Sequence, residues 1–249
     1  MNLRTMVGAM VLISAPALAA ETAADWQPLS DEAIARYRAG DLAGAETAAK
    51  QALEAAQARN GPDHPAVATA LNNLAAVYRA QKKYAEAEPL YIRALALREK
   101  TLPPDHPEIA VSLNNLAVLH DAQDQFEQAE PLYKRALAIR EKALPPDHAD
   151  VAASLSNLGE LYLAQRRFDR AEPLLVRAYD IRSKALDHKH PDFLRTQRDL
   201  WSLYMSTEKF ALAEEYHPEG EVTPNEATRR RMGAAALSPK GNDPAARGR

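Results

Sequence analysis

The chain has 249 residues, 46% of them hydrophobic but only 6% aromatic, and a formal net charge of −3. So small a charge gives no global signature of nucleic-acid binding. The absence of cysteine excludes disulfides, thiolate zinc sites, iron–sulfur clusters, a cysteine nucleophile and a cysteine-linked lipid anchor.

Residues 1–19 read as a signal peptide. Arg4 supplies the charge, Met6 to Leu18 is almost wholly apolar, and Ala17-Leu18-Ala19 fits a small-x-small cleavage site. The apolar run is too short to span a bilayer comfortably and contains Pro16. Cleavage after Ala19 would leave an exported chain, periplasmic in a Gram-negative bacterium and otherwise secreted.

From residue 64 the chain repeats with a period of 42. His64, His106, His148 and His190 are evenly spaced, and the block 64–105 matches the block 106–147 at 26 of 42 positions. A fixed period in this range marks stacked supersecondary units. In the first block Val67, Leu71, Leu74 and Tyr78 form one stripe at helical spacing. Gln81-Lys82-Lys83 breaks it, and Tyr84, Ala87, Tyr91, Ala94 and Leu95 form a second stripe. Leu102-Pro103-Pro104-Asp105 ends the second helix, while Pro65 suits the first turn of the first. Each unit is therefore a hairpin of two amphipathic helices. Ala75, Ala87 and Ala94, with Ala117, Ala129, Ala136, Gly159, Ala171 and Ala178, keep the contact positions small enough for close stacking. Pro89, Pro131 and Pro173 fall inside the second helices and are expected to bend them near their starts.

Leu74-Ala75-x-x-Tyr78 followed by Ala87, Tyr91 and Ala94 resembles the tetratricopeptide repeat. The 42-residue length, the Asp-His-Pro opening and the phrase LNNLA are similar to kinesin light chains and their bacterial relatives. The resemblance implies an all-α fold, a right-handed superhelical solenoid of stacked antiparallel helix pairs. On this reading residues 20–63 are a divergent first hairpin retaining Tyr37, Ala45 and Ala52. Residues 64–105, 106–147 and 148–189 are three full repeats. Residues 190–216 are a partial repeat serving as a C-terminal cap, with Trp201 in the slot of Ala75, Ala117 and Gly159. The final segment, 217–249, has four prolines, four glycines and Arg229-Arg230-Arg231. It has little to bury and is expected to be disordered.

No motif requires catalysis, a metal or a cofactor. The repeating histidines lie too far apart for one ion and read as helix starts. Asp187-His188-Lys189-His190 reads as a solvated turn, and Glu86/Glu88 and Glu127/Glu130 as exposed carboxylates. The better lead is Asn73, Asn115 and Asn157, one per first helix, preceded by Asn72, Asn114 and Ser156. Asparagine is a mediocre helix former, so its recurrence there asks for a reason. In tetratricopeptide proteins the first helices line a concave groove, so the resemblance implies a ladder of amides able to pair with an extended backbone. The alternative is that each amide bonds a neighbouring helix. Groove neighbours include Arg79 and Asp121 at one position and Glu160 at another. The expected function is noncatalytic binding of an extended peptide or loop of a protein partner, without nucleic acid. The rival is an envelope assembly component that self-associates through the solenoid.

Overall fold

The structure, a computed structural model, describes residues 25–217. The signal peptide expected over 1–19 and the disordered tail expected over 217–249, His217 apart, lie outside the described residues. The described residues form ten helices and no strand. They are α1 (Trp26–Arg38), α2 (Leu42–Asn60), α3 (Pro65–Ala80), α4 (Tyr84–Thr101), α5 (Pro107–Asp121), α6 (Phe126–Ala143), α7 (Ala149–Ala164), α8 (Phe168–Ala185), α9 (Pro191–Ser206) and α10 (Phe210–Glu215). They fall into two compact units divided between Gln123 and Asp124.

In the first unit each helix packs on the next, from α1 to α5, and α1–α3 and α3–α5 also touch. The first helices of the pairs thus form one layer and α2 and α4 a second. Alanine makes this closeness feasible. The buried face of α2 is alanine throughout: Ala45, Ala48, Ala49, Ala52, Ala55 and Ala56. Ala56 joins Val67, Leu71, Ala94 and Leu97 in one core cluster, with Trp26 and Leu53 against it. In the second unit α6 to α10 pack in succession, and α7 also touches α9. There Gly159 is needed for space, because a Cβ would meet Leu175 Cγ and Cδ2 at 2.8 Å.

The short turns within the pairs share one device. Gly40, Lys82, Asp124, Arg166 and Glu208, spaced 42 apart, all have φ between 57° and 81°. This left-handed residue lets the following amide reach back to the helix, as Lys83 N–H does to Tyr78 C=O at 2.8 Å and Arg167 N–H to Tyr162 C=O at 2.8 Å. Pro89, Pro131 and Pro173 lie inside α4, α6 and α8 as expected, each lacking a donor for the helical ladder.

Three second helices each bury one arginine. Arg98, Arg140 and Arg182 are 4%, 7% and 4% exposed. Arg98 Nη1 donates to Ser112 Oγ at 2.8 Å and to Glu108 C=O at 3.1 Å. Arg140 does the same to Ser154 Oγ at 2.7 Å and Asp150 C=O at 3.1 Å. Arg182 reaches Ser156 Oγ at 2.7 Å, Thr196 Oγ1 and Asp192 C=O at 3.1 Å. Each therefore ties a second helix to the first helix of the following pair. Burial lowers all three guanidinium pKa values, and the hydrogen bonds compensate for lost water. One repeat earlier the same positions hold Ala56 and Ala70, so the polar pair is replaced by an apolar one.

Candidate functional site: the exposed layer of first helices

The structure separates the paired asparagines. Adjacent helical residues differ by about 100° in direction, and on α3 Asn72 turns inward while Asn73 does not. Asn72 is 5% exposed, and its Nδ2 donates to Ser112 Oγ at 3.0 Å. It braces α3 against α5, a correction of its reading as a ligand contact. Asn73 is half-buried and donates through Nδ2 to Ser30 Oγ of α1 at 2.8 Å. That bond orients the amide and leaves Oδ1 to accept a hydrogen bond. Asn114 and Asn115 are half-buried on α5, and Asn157 is half-buried on α7.

Asn73 stands on the wall of an open notch of about 300 Å³ between α1 and α3, with Ala33, Ile34, Tyr37, Ala76 and Val77. A polar amide thus borders an apolar recess in the first unit. Arg79, half-buried at the end of α3, lies near the Tyr91 hydroxyl; burial raises the Tyr91 pKa, and Arg79 partly offsets this. Asp121 ends α5 and is half-buried. Glu160, half-buried on α7, is 3.2 Å from Arg195 Nε of α9. It is therefore held by a neighbour rather than free for a ligand.

Two features escaped the sequence reading. Asp199 occupies the 42-residue register of Asn73, Asn115 and Asn157. Its Oδ2 is buried without a hydrogen-bond partner. Burial pushes its carboxyl up to about 6 against the opposing pull of Arg195, Arg198 and Arg182. The same register in α1 holds Asp31, so the amide row has a carboxylate in each terminal pair. The second feature concerns Glu130, expected on an exposed face. It is instead a junction, accepting from Lys134 Nζ at 2.6 Å, Tyr162 OH at 2.9 Å and Arg167 Nη1 at 2.7 Å. Burial pushes its carboxyl up, but these three donors outweigh it and hold the group at about 2. Arg167 also lies 4.7 Å over the Tyr162 ring. Glu46 is held at about 2 by Lys50 and Lys83, and Glu172 accepts from Tyr204 and Lys209.

Of the Asp-His-Lys-His cluster, His190 caps α9 and His188 stacks on Phe193 with ring centres 5.0 Å apart. No group of three metal-ligating side chains occurs among the described residues. No helix among them is long and apolar enough to cross a membrane.

Tetratricopeptide repeat models match residues 28–100, 67–142 and 151–192. The chain belongs to the tetratricopeptide repeat family. Among solved structures it is similar to a singly substituted form of a kinesin light chain with nearly identical TPR-like repeats from Podosopora anserina. The two share 26% identity over 82% of this chain and 96% of that one, with a TM-score of 0.67. It is also similar to BtubC (BKLC) from P. vanneervenii, at 26% identity over 87% of this chain and 84% of that one, with a TM-score of 0.68. The apo form of RapI shares the fold at 16% identity, over 84% of this chain and 74% of that one, with a TM-score of 0.66. No curated protein sequence matches the chain.

Asp199 yields a signed prediction. Its folded pKa of about 6 exceeds the ordinary value of 3.8, so the folded state binds a proton more readily between these values. Stability therefore falls as pH rises through that window. Asp199→Asn removes a cost of up to about 3 kcal/mol at neutral pH. Calorimetry is expected to show a higher thermal midpoint for the variant at pH 7.5 and convergence with wild type near pH 4. An unchanged or lower midpoint at pH 7.5 contradicts the burial cost.

Proposed function

We propose that this chain is a noncatalytic protein-binding module whose first helices receive an extended peptide or loop. The observation that carries the reading is the half-buried Asn73 amide, oriented by Ser30 on the wall of an apolar notch. An amide acceptor pairs with a peptide N–H, while the recess accepts an apolar side chain. Asn115 in the first unit and Asn157 in the second repeat this chemistry by sequence register. Backbone pairing gives affinity independent of ligand sequence, and the side chains between the amides supply selection. Tetratricopeptide arrays typically scaffold protein–protein interactions, which supports the class of partner.

We also propose that the protein works outside the cytoplasm. This rests on the residues that motivate the signal peptide, and a mature N terminus at Ala20 in material from native cells tests it. A mature chain that retains Met1 contradicts export by this route.

The binding test compares wild type with Asn73→Ala/Asn115→Ala/Asn157→Ala against a displayed library of extended peptides. Circular dichroism first establishes that the variant is folded. The expected result is at least a roughly tenfold loss of affinity for selected peptides, about 1.4 kcal/mol or more for the lost bonds. Equal affinity would remove these amides from the binding surface. Selection of segments of this chain alone would favour self-association.

A further inference from the structure

We propose that the array carries an acid-sensitive device, in which one neutral imidazole per repeat holds the opening turn of each first helix and protonation releases those turns together. The geometry recurs four times. His64 Nδ1 accepts from Ala66 N–H at 3.1 Å, and His106 Nδ1 from Glu108 N–H at 3.2 Å. His148 Nδ1 accepts from Asp150 N–H at 3.1 Å, and His190 Nδ1 from Asp192 N–H at 3.2 Å. Each histidine is the N-cap of its helix, with extended backbone. An aspartate or asparagine cap uses oxygen and retains its acceptor through mild acid. An imidazole nitrogen accepts only while it carries no proton, so each cap requires the Nε2–H tautomer.

Three of the caps are joined to the buried arginines. The residue whose N–H meets the imidazole is the residue whose C=O accepts from the guanidinium: Glu108 for Arg98, Asp150 for Arg140 and Asp192 for Arg182. A protonated histidine would thus add a second cation beside a buried one, at the positive end of a helix dipole. The charged surroundings do not cancel this effect. His64 adjoins Asp63, which is held by Lys100 of α4 at 2.6 Å. His106 lies between Asp105 and Glu108, and the Glu108 carboxylate is paired with Arg98 at 2.5 Å. His148 has Asp147, which is paired with Lys184 at 3.4 Å, and the Asp150 carboxylate at 3.9 Å. His190 has Asp187, Lys189 and the Asp192 carboxylate at 3.9 Å. These carboxylates offset the new charge at His148 and His190, but they do not restore the lone pair that holds the helix. His64 has no arginine partner, because Ala56 stands at that position, and is an internal control.

The test uses the full chain and its His64→Asn/His106→Asn/His148→Asn/His190→Asn variant, asparagine being a cap indifferent to pH in this range. Nitrogen NMR of the wild type at pH 7.5 is expected to show the Nε2–H tautomer at all four histidines. Between pH 7.5 and 5.5 the wild-type thermal midpoint is expected to fall by roughly 5 °C or more relative to the variant. Amide protection should drop at Glu108, Asp150 and Asp192 more than at Ala66. The other histidines and Asp199 are common to both proteins and cancel in the comparison. Nδ1–H tautomers at pH 7.5, or the same pH slope in both proteins, would overturn the proposal. Amide protection is read on the wild type alone: loss at Glu108, Asp150 and Asp192 between pH 7.5 and 5.5 supports the proposal and unchanged protection there overturns it, even if the variant does not fold.

Discussion

A guanidinium removed from water must be met by hydrogen bonds, and in this protein that requirement fixes how one helix pair sits on the next. Arg98, Arg140 and Arg182 each project from a second helix into the opening turns of the following first helix, where a carbonyl and a hydroxyl receive them. Alanine contacts allow close approach but specify register weakly, since one small side chain resembles the next. A buried charge tolerates much less slippage, because a shifted helix would leave it unpaired at a cost of several kcal/mol. Where the arginine is missing, at Ala56, its receiving hydroxyl is missing too, at Ala70, and the contact closes as apolar packing.

From that constraint the presented surface follows. Ser112 receives both Arg98 and Asn72, so one hydroxyl joins α3, α4 and α5. With Asn72 spent inside, Asn73 is turned to the notch shared with α1. In the second unit Ser156 and Thr196 share Arg182 between α7 and α9, the helices that carry Asn157 and Asp199. The opposite ends of the pairs are tied by carboxylates instead, Glu46, Glu130 and Glu172, each meeting a cation from the following turn. α7 and α9 are thus held at both ends by buried or half-buried polar contacts, α3 by such a contact at its end and α5 at its opening turn.

Much of this was legible in the chain. The 42-residue period, the two apolar stripes per unit and the turn at Gln81-Lys82-Lys83 gave the helix pairs and their stacking, because hydrophobic periodicity is a local signal. The arginines were not read, since a lysine- and arginine-rich helix end ordinarily lies in water. Their signal was covariation within one chain: arginine with serine or threonine 14 residues on, alanine with alanine. Asn72 and Asn73 looked equivalent because sequence alone does not say where the edge of a buried face falls. Histidine was recognised as a helix start, but the accepting atom, Nδ1, is a matter of geometry. Asp199 was hidden by treating the last repeat only as a cap, although its register was visible.

Hydrogen exchange on Arg98→Met/Arg140→Met/Arg182→Met addresses the central constraint most directly. Methionine keeps length and apolar packing while removing the charge and its donors. If the arginines fix the following helix, protection falls selectively in the opening turns of α5, α7 and α9. The opening turn of α3, which receives no arginine, keeps its wild-type protection. Equal loss across α3, α5, α7 and α9, or no loss in any of them, would show that apolar packing sets the stacking and that the buried charges merely accompany it.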